Sequence, residues 1–154
     1  MWFEDFHIDA LRLDAVHAIK DFNAVHILQQ IRKETDEIIA KSEKSHFLFI
    51  ECDLNDRRFL DPLAKNGFGM DAQWLDEFHH SLRVSVGEPK KGYYEEFSGL
   101  ADLAKAYEKA YVFDGNYSPH REKFFGTDTL GIKGDHFCLL YTSDAADEGL
   151  GVAL

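Results

Sequence analysis

Apolar and polar positions alternate along the first strand-like stretch. In HIDALRLD, residues 7 to 14, Asp9, Leu11 and Leu13 fall on one side of an extended backbone and Ala10, Arg12 and Asp14 on the other. The period of two predicts a strand whose leucines face packed helices while Arg12 and Asp14 share the opposite face. From residue 20 the period changes: Val25, Leu28, Ile31 or Arg32, Thr35, Ile38 and Ile39 recur at helical spacing, predicting an amphipathic helix over 20 to 41. The run HFLFIECD at 46 to 53 is apolar until it ends in acidic residues, as a buried parallel strand would. A third strand is expected over Gly69 to Trp74, after the turn-rich KNGFG, and a helix over Leu75 to Ser85. Residues 98 to 111 predict a further helix, N-capped by Ser98, with Leu100, Leu103, Ala104, Tyr107 and Tyr111 on one face. Strands alternating with helices, without internal repeats, argue for an α/β chain built on a parallel sheet or barrel.

Composition narrows the functions open to such a chain. With 154 residues, 45% of them hydrophobic, it has material for a packed core and is expected to form one soluble unit. Its net charge of −11 repels phosphate backbones and anionic lipids, so neither nucleic acid nor a membrane is an expected partner. The N-terminus MWFEDFHID carries acidic residues where a secretory signal would be basic and then apolar, which makes the cytoplasm the expected location. Cys52 and Cys138 are far apart and have no metal-ligand spacing, so both are read as unpaired thiols.

Charge placed where an apolar strand ends is the main chemical signal, because the active sites of parallel barrels form at the C-terminal strand ends. Asp14 and Glu51 are such charges. On neighbouring strands their carboxyl groups would face one pocket, the pairing glycoside hydrolysis needs: one ionised to attack the anomeric carbon, one protonated to release the leaving oxygen. Arg12, on the same face as Asp14, would hold Asp14 ionised and leave Glu51 the acid. The competing reading makes Asp14 an N-cap of the following helix and Glu51 a solvated loop residue.

These residues resemble a known family. RLDAVH at 12 to 17 is similar to the second conserved region of the α-amylase superfamily, and FIECD at 49 to 53 resembles the region around that superfamily's acid/base glutamate. The order of DALRLDAVHAI, ECDLND, AQWLDEFHHSL and KKGYYEEF resembles one subgroup, the malto-oligosyltrehalose trehalohydrolases, over about residues 1 to 136. The resemblance implies a partial (β/α)8 barrel, roughly its strands four to seven, with Asp14 as nucleophile and Glu51 as proton donor. It implies Arg12, Leu13, His17, Trp74, Asp76, Glu77, Phe78, His79 and His80 as substrate-binding residues, an α-glucan oligosaccharide such as malto-oligosyltrehalose as partner, and no metal or organic cofactor. A branching enzyme, an amylase, or a carbohydrate-binding relic without turnover are the alternatives.

The sequence departs from the family pattern at several places. Ala10 stands for a glycine, Leu75 for an asparagine and Glu77 for an aspartate, and none of these removes a catalytic group. The Asn-His-Asp-Gln motif that brings the family's third carboxylate is absent from the sequence. GDHF at 134 to 137 resembles its lead-in, but CLLYTSDAADEGLGVAL follows, which reads as a non-native tail from about Cys138, so that Asp144 is not the missing residue. The domain is therefore expected over 1 to 137, and the chain alone is expected to be inactive. Among the other candidates, His79, His80 and Asp76 could suggest a metal, yet adjacent histidines do not share a helix face. Trp74 and Phe78 are open between core packing and a platform for a glucose ring. His17 is open between a sugar contact and a helix cap.

Overall fold

The computed structural model describes residues 1–42 and 44–138. Two compact units divide the chain at Gln73 and Trp74.

The first unit is built on a parallel pair. β1 (Ala10–Leu13) and β2 (Phe47–Glu51) pair in register, Ala10 with Phe47 through Leu13 with Ile50, and β3 (Ala72–Trp74) lies on the other side of β2. β1 is shorter than the predicted stretch because His7 and Ala15 take left-handed backbone, at φ 55° and 42°, and end the extended run on either side. β3 begins only at Ala72, since Gly69 sits at φ 69° against the side chain of Arg32 and breaks the strand there. The crossover helix α1 (Ile27–Ser42) starts later than residue 20. Asp21 explains the delay: its carboxylate accepts from the backbone N–H of Asn23 and Ile27, a local turn that competes with helix. The helix buries Leu28, Arg32 and Thr35, so Arg32 rather than Ile31 continues the inward face. Its guanidinium reaches Asp36 on the helix and Asp71 before β3. Leu28, Leu48, Ile50 and Met70 are buried in this unit.

The second unit contains α2 (Glu77–Ser85), α3 (Leu100–Lys109), the short antiparallel pair β4 (Tyr117–Ser118) and β5 (Lys123–Phe124), and β6 (Phe137–Cys138). α2 packs on α3, and Phe78, Phe97, Ala106, Val112, Phe113 and Phe125 form the core. The face predicted for α3 is corrected here. Leu100 and Tyr107 are exposed, Ala106 is fully buried, and the buried Tyr111 lies beyond the helix end. Ser98 does not cap α3 either; Gly99 takes the N-cap position, and Asp102 reaches back to accept from the Ser98 backbone N–H at 2.6 Å. The tail expected to be non-native, residues 139 to 154 with Asp144, lies outside the described residues. Among the described residues, no helix is long and apolar enough to cross a membrane.

Candidate active site

The β1–β2 register positions the catalytic candidates. Leu13 pairs with Ile50 as the last matched positions, and one residue further each strand delivers a carboxylate, Asp14 and Glu51. Arg12 lies two residues before Asp14 on the same pleat face, and its guanidinium touches both acids: Nη1 reaches Asp14 Oδ1 at 2.7 Å and Nη2 reaches Glu51 Oε2 at 2.8 Å. Leu13 occupies the opposite face, opposite Ile50, and is not brought to the pair.

Sequence reasoning gave Arg12 to Asp14 alone, and the geometry corrects this. Because Arg12 contacts both carboxyls, it cannot by itself separate them. The hydrogen bond from Glu51 and then the Arg12 charge hold the Asp14 carboxyl below its usual range. Burial first, and then the hydrogen bond it gives to Asp14, push Glu51 up. The asymmetry comes from position: the Asp14 side chain is 73% exposed and that of Glu51 29%. Asp14 is thus the more acidic member of the pair and Glu51 the less acidic.

Two groups that sequence reasoning passed over complete the site. The Ala15 backbone N–H donates to Glu51 Oε2 at 3.3 Å, directed there by a left-handed backbone that a non-glycine residue adopts only under constraint. Asp14 is no N-cap, because Ala15 holds the cap position of the short helical turn at Val16–Ala18, with no side-chain cap bond. Asp53, two residues past Glu51, lies 3.4 Å from Nδ1 of His17. The two-residue spacing that linked Arg12 to Asp14 was the available signal for Asp53.

The remaining candidates lie in the second unit. Glu77 is buried, its carboxylate accepting from the backbone N–H of Val112 and Phe113, so it braces the chain rather than facing solvent. Phe78 is 5% exposed and packs within the aromatic core. Trp74 is half-buried and Asp76 exposed. His80 packs among His79, Tyr94 and Phe97, and burial followed by the charges of His79, Arg121 and Arg83 pulls its pKa down to about 3. It is neutral at ordinary pH.

The α/β fold has a counterpart among solved structures. A chain described as an α-amylase from Salmonella typhimurium matches with a TM-score of 0.77 and 28% identity, over 88% of this chain and 24% of that one. Curated relatives narrow the class: the chain is similar to malto-oligosyltrehalose trehalohydrolases, the subgroup its motifs resemble. The enzyme of that name from Rhizobium sp. (strain M-11) is 42% identical over 126 residues, 82% of this chain and 21% of the relative. That from Saccharolobus solfataricus is 38% identical over 136 residues, 88% of this chain and 23% of the relative. The one from Mycobacterium tuberculosis (strain H37Rv) is 38% identical over 143 residues, 92% of this chain and 24% of the relative. The chain thus spans less than a quarter of the length of these relatives. No family model matches it.

Proposed function

We propose that this chain carries the nucleophile and the acid/base of a retaining α-glucan glycosidase, and that the whole protein cleaves the α-1,4 bond next to the terminal trehalose unit of malto-oligosyltrehalose. The observation that carries the reading is the Asp14–Arg12–Glu51 cluster, in which one carboxyl is lowered and its partner raised. Asp14 attacks the anomeric carbon while Glu51 gives its proton to the glycosidic oxygen, so trehalose leaves and a glycosyl ester forms on Asp14. Glu51, now ionised, takes a proton from water, the water oxygen attacks the anomeric carbon, and the ester bond breaks to restore Asp14. Arg12 spreads its charge over both groups in each step.

His17, on the turn that follows Asp14, suits a sugar hydroxyl, and Trp74, Asp76 and His79 are further glucan contacts on the strength of the resemblance. The two-carboxylate chemistry calls for no cofactor. The test is product analysis with a polypeptide extended to the length of the relatives. Trehalose release from malto-oligosyltrehalose, lost in Asp14→Asn, is expected; release of maltodextrin fragments without trehalose would instead support an amylase or branching enzyme. The 154-residue chain alone is expected to show no turnover.

A further inference from the structure

Beside the acid pair, the ends of β1 and β2 bring together three side chains of different chemistry. An imidazole nitrogen of His17, the Cys52 sulfur and a carboxylate oxygen of Asp53 lie within 4.8 Å of one another. We infer that they form a site for a borderline-soft divalent cation, of which Zn2+ and Co2+ are the working examples.

Geometry supports this first. Nδ1 of His17 stands 3.4 Å from Oδ1 of Asp53. Nitrogen and oxygen ligands about 2.0 to 2.2 Å from a tetrahedral zinc stand roughly 3.4 Å apart, so these two already have the required spacing. A thiolate ligand about 2.3 Å from the metal needs roughly 3.6 Å to its neighbours, so from within 4.8 Å the sulfur must close by at most about 1.2 Å.

Burial and chemistry support it next. Cys52 is 1% exposed, whereas the side chains of His17 and Asp53 are 34% and 45% exposed, so the thiol forms the floor and the other two the open mouth. The segment bearing Cys52 and Asp53 is fixed from beneath. Nε2 of the fully buried Gln73 donates to the carbonyls of Cys52 at 3.0 Å and Leu54 at 2.9 Å. Outer contacts of this kind hold metal ligands in place. A thiolate–imidazole–carboxylate set selects zinc-like ions over Ca2+ or Mg2+, and three protein ligands leave a fourth position for water. On binding, the Cys52 S–H bond breaks, the proton passes to solvent and a metal–sulfur bond forms, with no change of oxidation state.

Sequence spacing could not reveal the site, because His17 comes from a different strand end than Cys52 and Asp53. Its consequence rests on the glycosidase reading: a bound cation holds His17 away from the glucan and acts as an inhibitor. The binding test does not depend on turnover. Titrating the 154-residue chain with Co2+ should raise a thiolate-to-cobalt absorption band that saturates at one equivalent, is erased by Zn2+ and survives Ca2+. Cys138→Ser should keep the band and Cys52→Ser should lose it. His17→Ala and Asp53→Asn, which alter exposed side chains and spare the fold, should each weaken Co2+ binding at least tenfold. The inference fails if no band appears at millimolar Co2+, if the band persists in Cys52→Ser, or if both exposed variants bind as the parent does. A failed band leaves the glycosidase reading standing, and a failed trehalose assay leaves the metal site standing.

Discussion

The two units use buried charge in different ways. In the first, Arg32 is 6% exposed and answers other side chains, Asp71 and Asp36. In the second, Glu77 is 5% exposed and answers backbone N–H groups in a segment of little regular structure, amid an aromatic core. In the strand–helix–strand unit the buried charge locks helix to strand, and one of the acids that answers it, Asp71, also takes a backbone N–H, that of Leu48. A unit of short elements must hire a side chain to satisfy the backbone itself. The first arrangement leaves its strand-end acids available for chemistry; the second consumes its acid in structure.

The largest effect that sharpens this contrast separates chemical from structural acids. In the full-length polypeptide, Asp14→Asn or Glu51→Gln should lower kcat by roughly 10^4-fold or more while the melting temperature stays near that of the parent. Glu77→Gln should do the reverse; a loss of kcat without loss of stability in Glu77→Gln would break the distinction.

Next in size is a backbone test of the first unit. A Cβ at Gly67 would meet the Asp61 carbonyl oxygen at 1.9 Å, where no flexible side chain can yield. Gly67→Ala should cost about 3 kcal/mol in denaturant unfolding, with faster amide exchange at Leu48 and Ile50. In the second unit, Glu77→Ala leaves two buried N–H groups without their acceptor and should cost about 2 kcal/mol, read as lost amide protection at Val112 and Phe113.

The smallest effect is a pH dependence confined to the second unit's histidine. His80 has a pKa of about 3 when folded against the ordinary 6.5 of an exposed histidine, so between those values the unfolded chain binds more protons. Its contribution is complete above pH 6.5 and is lost as pH falls from there toward 3. Stability of the parent minus that of His80→Phe should therefore decline on acidification from pH 7 to pH 5; a flat difference would remove His80 as the cause.

Legibility in the sequence followed the same division. The alternation through Leu11 to Asp14 and the apolar run of Phe47 to Glu51 marked β1 and β2, and with them the acid pair. Local competition hid the boundaries: the Asp21 turn delayed α1, and left-handed backbone at His7 and Ala15 trimmed β1. The shared grip of Arg12 on both acids was not readable either, because it depends on strand pairing across 37 residues rather than on spacing along one strand. In the second unit, helical spacing put Leu100 and Tyr107 inward on α3, whereas the small Ala106 is what lets α3 approach its neighbours. Glu77 and Phe78 matched a binding motif by position but point into the interior, and a motif alone carries no information on burial.

Asp71 has a consequence for how the first unit comes into being. One oxygen of its carboxylate takes the Leu48 backbone N–H at 2.7 Å and the Arg32 guanidinium at 2.9 Å, fastening helix to strand. Until residue 71 has left the ribosome, Arg32 has no partner from β3's approach and the Leu48 amide no acceptor from it. A nascent chain halted before Asp71 should therefore hold its helix and strands only loosely, and one halted soon after should tighten abruptly. The acid pair would then be assembled not when its own residues are synthesised but some twenty residues later, at the moment an acid outside the pair arrives.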